Sequence, residues 1–154
     1  LAELRDLADA FPDTAIILNH AGGPLGIGPY TTRRAHVFAE WRADMQRLAR
    51  HANVNVKLGG LGMRLFGFDV HEGDVPASSE ELATAWGPYL GTCIETFGPE
   101  RCMFESNFPI DKGSCSYAIL WNAFKRMTTG CSVHERASLF HGTAARVYRL
   151  SVPD

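Results

Sequence analysis

The sequence predicts an α/β fold with parallel strands, on two observations. Short apolar runs of strand length alternate with longer stretches whose apolar residues recur at helical spacing, as in right-handed βαβ units. The apolar runs also end abruptly in polar or glycine residues, which is typical of buried parallel strands whose carboxyl ends open into a site. Segment 102–112 shows this best, because an apolar run passes directly into acid, hydroxyl, amide and proline residues.

Eight elements follow one another: helix, strand, helix, strand, helix, strand and two helices. Apolar residues at helical spacing predict the helices, at 1–11, 32–51, 78–97, 116–127 and 132–148. Buried apolar runs predict the strands, at 14–19, 53–58 and 101–106. Ser78 or Ser79 supplies an N-cap for the third helix, and Ser132 with Glu135 has the form of a capping box. Residues 59–78 are expected to form a long loop, of a kind that is usually functional or disordered.

Composition and charge argue against several classes of function. The net charge of −2 gives no electrostatic reason to expect a nucleic acid or an anionic membrane as partner. No apolar stretch approaches the roughly 20 residues that span a bilayer. The four cysteines form no Cys-x-x-Cys pair and have no histidine at zinc-finger spacing. They are interpreted as small apolar residues, and a cytoplasmic location is expected.

The three predicted strands are too few to close a sheet. Alone they would leave two edges bare and expose apolar surface, so marginal stability or association, for example into a homo-oligomer, is expected. The chain also begins without Met and in what resembles the middle of a helix, so an N-terminal part is expected to be missing. We therefore predict that residues 1–154 form a single domain that is the C-terminal part of a larger α/β barrel. A complete small doubly wound domain is the alternative.

Two polar residues stand at the first two strand ends. His20 follows the first strand and precedes a glycine loop, where it could ligate a metal, act as acid or base, bind a carbonyl group or merely cap the loop. Lys57 alternates with Val56 and Leu58, so it should project to the opposite face of the sheet. It is either an interior charge with a function or an ordinary surface lysine.

Further candidates lie in the long loop and after the third strand. Arg64 could hold a substrate carboxylate through its guanidinium group, or be a solvated loop residue. Glu105 and Asn107 should point the same way if the extended backbone persists to position 107. Asp111 and Lys112 follow and form either a surface ion pair or part of the mouth of a site.

Segments 17–24, 53–60 and 101–109 together resemble the strand ends of the amidohydrolase-related family, the metal-dependent TIM-barrel hydrolases that include sugar-acid and pyrone-dicarboxylate lactonases. Segment 143–148 resembles the family's last helix. The resemblance implies a (β/α)₈ TIM barrel, of which this chain would be the C-terminal portion. It also implies hydrolysis of a small lactone or related carboxylic-acid derivative, often one that bears a carboxylate.

The resemblance also implies roles for individual residues. His20 matches a strand-end histidine that binds metal or polarises a carbonyl group, and Arg64 falls near the position of an anion-binding arginine. With Lys57 it would contact the anionic groups of the substrate. Asn107 stands where many members carry an Asp that binds metal, activates water or does both.

Two features depart from the family pattern. The His-x-His pair of the first barrel strand is absent, and Asn107 replaces the Asp. Because an amide offers no negative charge and cannot act as a general base, Glu105 and Asp111 become the nearest candidates for a base. Metal-independent chemistry is therefore favoured over a divalent metal such as zinc bound through His20.

The leading hypothesis from the sequence is thus a hydrolase that opens a small lactone, although this chain alone is expected to be inactive. A decarboxylase of the same barrel type and a non-catalytic binding remnant are the alternatives.

Overall fold

A computed structural model describes residues 1–68, 70 and 75–151 of the chain. Its helices and strands are, in order, α1 (Ala2–Ala10), β1 (Ile16–Leu18), α2 (Arg34–Leu48), β2 (Val54–Leu58), α3 (Ser79–Phe97), β3 (Cys102–Phe104), α4 (Tyr117–Met127), α5 (Val133–Ala137) and α6 (Thr143–Tyr148). The strands form one parallel sheet in the order β1-β2-β3. The predicted parallel α/β architecture is confirmed. None of the described helices is long and apolar enough to cross a membrane.

The central strand β2 has two different faces. Val54, Val56 and Leu58 are completely buried and belong to the hydrophobic core, together with residues of α2, α3 and α4. Lys57 lies opposite them and is paired in register with Met103 of β3, as the alternation predicts. Asn55 shares this second face, which we call the polar face of the sheet. Strand β2 therefore carries its apolar side chains towards α2, α3 and α4 and its polar side chains away from these three helices.

Helix capping and aromatic packing follow the sequence pattern. Ser78 and Ser132 each form a capping box, in which the serine side chain accepts from the backbone of the third helical residue. Trp41 and Trp86 are buried in the core. On α4, Phe124 stacks on Phe104 of β3 with ring centroids 4.4 Å apart. These contacts hold the helices against one face of the sheet.

The structure corrects two of the predicted elements. Strand β1 is only half-buried instead of buried, because it is an edge strand with one neighbour in the described chain. The single helix predicted at 132–148 consists of three consecutive segments, because a π-helical stretch, Ser138–Gly142, lies between α5 and α6. The predicted loop at 59–78 contains a 3₁₀ turn, Arg64–Phe66, and positions 69 and 71–74 of it lie outside the described residues.

Candidate functional site

The carboxyl ends of the three strands bring His20, Lys57 and Glu105 together. His20 Nδ1 lies 2.6 Å from Glu105 Oε1, and the backbone N–H of His20 donates to the same oxygen at 3.2 Å. The other carboxylate oxygen, Oε2, is 3.6 Å from Lys57 Nζ. Glu105 is thus held by a different strand end at each of its two oxygens. These residues, far apart in sequence, form one charge-linked cluster, which we call the strand-end cluster.

Backbone geometry aims His20 at Glu105. His20 adopts a left-handed conformation with φ of 53°, which costs a non-glycine residue about 1–2 kcal/mol. It opens a 3₁₀ turn, His20–Gly22, in which Ala21 is also left-handed and accepts a hydrogen bond from the Trp41 indole at 2.8 Å. Strained backbone of this kind persists only where the surroundings over-determine it and is concentrated at functional sites.

The loop after β2 must be glycine where it passes the cluster. Gly60 has a φ of 72°, and a Cβ there would run into the His20 imidazole ring. A Cβ at Gly59 would run into the Glu105 carbonyl oxygen, and one at Gly62 would lie 2.9 Å from Asp111 Cγ. The glycine run at 59–62 lacks the helix start of a phosphate loop. Its position directly after a strand was the signal for close packing on a site.

The three cluster residues differ in solvent exposure and in charge. The His20 side chain is 30% exposed, whereas that of Glu105 is 13% exposed. Glu105 accepts from Nδ1 when the imidazole carries its proton there, which leaves Nε2 as the unprotonated nitrogen. Burial lowers the pKa of Lys57, but a polar interaction with Tyr148 and the negative charge of Glu105 outweigh it, so the pKa is raised. Lys57 is therefore a stable cation beside the histidine.

Asn107 and Asp111 form a second pair just beyond β3. The strand ends at Phe104 and Asn107 is left-handed, with a φ of 51°, so the extended backbone that would align Glu105 with Asn107 does not persist. The Asn107 side-chain amide instead donates to Asp111 Oδ1 at 2.8 Å. Asp111 is completely buried. Burial raises its pKa, and hydrogen bonding by Asn107 and the Gly62 backbone, together with the charge of His20, offsets this only in part.

Two other candidates lie apart from the strand-end cluster. Arg64 is exposed in the first position of its 3₁₀ turn, and its side chain forms no hydrogen bond or ion pair with another described residue. Lys112 is exposed, and among the described residues it forms no ion pair with Asp111. The structure therefore joins His20, Lys57 and Glu105, places Asn107 with Asp111 beside them, and leaves the two other cations in surface positions.

The described residues do not fit a metal centre by themselves. No three His, Cys, Asp or Glu side chains among them converge as a metal ion would require. One feature of a metal site is present, because a metal-bound histidine commonly donates its other ring N–H to a carboxylate, as His20 can to Glu105. This chain thus offers one oriented nitrogen, and further ligands would have to come from elsewhere.

The chain is similar in sequence to two curated proteins. An uncharacterized protein of Sinorhizobium fredii is 43% identical over 150 residues, which cover 97% of this chain and 44% of that protein. The L-fucono-1,5-lactonase of Burkholderia multivorans is 31% identical over 139 residues, 90% of this chain and 44% of the lactonase. The chain therefore spans less than half the length of either relative.

Solved structures show the same relationship. An amidohydrolase from Burkholderia multivorans with bound HEPES has a TM-score of 0.80 and 27% identity, over 97% of this chain and 50% of that one. A crystal form with bound zinc gives a TM-score of 0.78, over 97% and 49%. A model of the amidohydrolase family matches residues 1–150. The resemblance of the strand ends is thereby confirmed, and the chain belongs to the amidohydrolase family.

Proposed function

We propose that this chain supplies the strand-end half of the active site of a hydrolase that opens a small lactone bearing a carboxylate. The observation that carries the proposal is the strand-end cluster, in which a histidine and a lysine share one glutamate at the carboxyl ends of parallel strands. The likeness to an L-fucono-1,5-lactonase supports a lactone as the substrate class. The remaining strands would come from the part of the barrel that the longer relatives possess.

His20 is the proposed acid-base residue. Hydrogen bonding to Glu105 holds the proton on Nδ1, so Nε2 can accept a proton from an attacking water and return it to the ring oxygen that leaves. Glu105 orients the imidazole and stabilises its protonated form, as the carboxylate of a Ser-His-Asp triad does. Both oxygens of Glu105 are already engaged, which makes His20 a better-placed base than Glu105 itself.

Lys57 and Arg64 are the proposed contacts for the substrate carboxylate. Lys57 belongs to the strand-end cluster and keeps its charge, whereas Arg64 would have to approach from the exposed turn. Asn107 is held by the buried Asp111 and is proposed to orient water or substrate through its carbonyl oxygen. His20 Nε2 is also the one nitrogen of the cluster histidine that could be contributed to a zinc ion, and a histidine bound in that way would no longer be free to accept a proton.

The test is a lactone assay on the full-length protein, with carboxylate-bearing and neutral lactones of the same ring. His20→Ala should lower kcat/KM by about 10²–10⁴-fold, since that is the usual contribution of a general acid-base group. His36→Ala is the matched control, because His36 is exposed on α2 and pairs only with Glu40 one turn away. It should leave kcat/KM unchanged. Unaltered turnover in His20→Ala would remove the central residue of the proposal.

Lys57→Met separates binding from chemistry. It should raise KM more for the carboxylate-bearing lactone than for the neutral one, and any loss of kcat that passes through Glu105 and His20 should be the same for both, whereas Lys125→Met, on the exposed side of α4, should affect neither lactone. The products decide the reaction class, since ring-opened acid supports a lactonase and carbon dioxide a decarboxylase. An equal effect of Lys57→Met on both lactones would argue against a carboxylate contact.

A further inference from the structure

The last helix of the chain packs on the polar face of the sheet, next to the strand-end cluster. Two hydrogen bonds anchor it at its start, from Thr143 Oγ1 to the Pro99 carbonyl at 3.1 Å and from Arg146 to the Glu100 carbonyl. Arg146 also lies 3.5 Å from Asn55 Oδ1 on β2. Met103, on the same face, is buried although it lies outside the main core cluster. Helix α6 therefore has a defined position on this face.

This position brings Tyr148, at the end of α6, to Lys57. The ammonium group of Lys57 lies 5.7 Å from the centroid of the Tyr148 ring, within the range of a cation–π contact. Two groups thus hold Lys57 from opposite elements, Tyr148 from α6 and Glu105 from the end of β3. Glu105 in turn binds His20 through its other oxygen. The contacts form a continuous series from the last helix to the histidine.

We propose that Tyr148 is a positioning residue for the candidate site, which holds Lys57 against Glu105 and through Glu105 orients His20. Tyr148 reaches no reacting atom, and its action passes through Lys57. Lysine is a flexible four-carbon chain with a compact charge, so without a fixed partner it would sample positions away from the carboxylate. The inference rests on the proposed function for its catalytic consequence, but the contact itself can be measured independently of any substrate.

The groups around Lys57 determine how its pKa should change when the hydroxyl group of Tyr148 is removed. Glu105 and Tyr148 both favour the charged ammonium, and Arg146 on the same helix lies at the Asn55 end of β2. Burial opposes the charge. Tyr148→Phe keeps the ring and deletes the hydroxyl group, so it removes one of the favourable groups and leaves the burial in place. The pKa of Lys57 should therefore fall.

The experiment is an NMR titration of the lysine Cε signals in the full-length protein and in its variants. Tyr148→Phe should lower the titration midpoint of Lys57 relative to the parent protein. Tyr148→Leu, which also removes the ring, should lower it further. Tyr117→Phe is the matched control, because Tyr117 lies on α4 and packs against Phe108 and Trp121. It should leave Lys57 unchanged.

A purely structural role of Tyr148 and a positioning role predict different results for the melting temperature and for the Lys57 titration midpoint. If Tyr148→Leu lowers the melting temperature but neither variant moves the Lys57 midpoint, Tyr148 only packs the helix and the proposal is overturned. If Tyr148→Phe moves the midpoint and raises KM for the carboxylate-bearing lactone at alkaline pH, the proposal is supported. If Tyr148→Phe moves the Lys57 midpoint but the protein turns over no lactone, the positioning role of Tyr148 is supported and the proposed function is rejected.

Discussion

At the level of single residues, Asn107 and Asp111 form the pair that departs from what the family resemblance led us to expect. The carboxylate expected at position 107 is replaced by an amide, and a carboxylate four residues later accepts a hydrogen bond from that amide at 2.8 Å. The negative charge is therefore close to the predicted place, but buried. Because Asp111 is completely buried, it is better suited to orient Asn107 than to meet water itself.

Asn107→Asp should be destabilising at neutral pH. The new carboxylate would lie beside Asp111, whose pKa is already raised by burial, and two adjacent carboxylates cannot both ionise cheaply. A raised folded pKa means that the folded state binds protons more tightly than the unfolded state, so stability should rise as the pH falls towards the ordinary carboxyl range. Thermal unfolding between pH 4 and 8 measures this, and the variant should be least stable at the alkaline end of that range.

Asn107→Ser is the control, since it also removes the amide but adds no charge. Its stability relative to the parent should depend less on pH than that of Asn107→Asp, because it removes one hydrogen bond to Asp111 and adds no second carboxylate. A gain of activity and of metal uptake in Asn107→Asp would show instead that the amide marks a degenerate enzyme.

At the scale of elements, the loop after β2 determines how closely the strand ends approach one another. Its glycines leave room for the His20 ring and the Glu105 backbone, and the left-handed turn at Gly60 redirects the chain between them. The loop therefore acts on the site through its backbone. Side chains on the same loop would push the histidine away from the glutamate.

Gly60→Ala should lower the free energy of unfolding by about 1–2 kcal/mol from the left-handed backbone alone. It should also lower kcat/KM, because the methyl group displaces His20 from Glu105. Gly91→Ala is the matched control: Gly91 lies within α3, and its Cβ would meet nothing within 4 Å. Alanine there should be neutral or stabilising by about 0.5–1 kcal/mol. Equal effects of both changes on activity would contradict the role of the loop.

At the scale of the whole molecule, the three-stranded sheet is open at both edges. Strands β1 and β3 each pair only with β2 in the described chain, and the chain covers about half of the solved amidohydrolase. Several large apolar side chains are also exposed, among them Leu7, Phe11 and Leu150. In the proposed barrel, further strands would pair with the two open edges of the sheet.

A polypeptide of residues 1–154 alone should therefore associate or unfold at low denaturant concentration. Sedimentation over a range of concentrations and chemical unfolding would measure both properties. Addition of the complementary half, derived from one of the longer relatives, should restore a monomeric complex of the two pieces. One cooperative and concentration-independent unfolding transition of the 154-residue chain would overturn this expectation.

Much of the fold could be predicted because local patterns specify it. Side-chain periodicity predicts the order of elements, the parallel strands and the opposite faces of Lys57 and Val56. Neighbours a few residues apart predict the capping boxes at Ser78 and Ser132. The arrangement of the side chains at the strand ends was harder to predict. The direction of the Asn107 side chain was predicted on the condition that the backbone stays extended to position 107, and this condition is not met, because β3 ends at Phe104 and Asn107 is left-handed.

The sequence by itself determined the family, the parallel α/β fold and the identity of the polar residues at the strand ends. Only the tertiary structure decided how these residues combine: that Glu105 holds both His20 and Lys57, that Gly60 makes room for the imidazole ring, and that Tyr148 reaches Lys57 from the last helix. The physical reason is the separation along the chain over which each kind of interaction acts. Periodicity and capping act within a few residues of the chain, whereas the pair of His20 and Glu105 is separated by 85 positions and meets only when the sheet has formed.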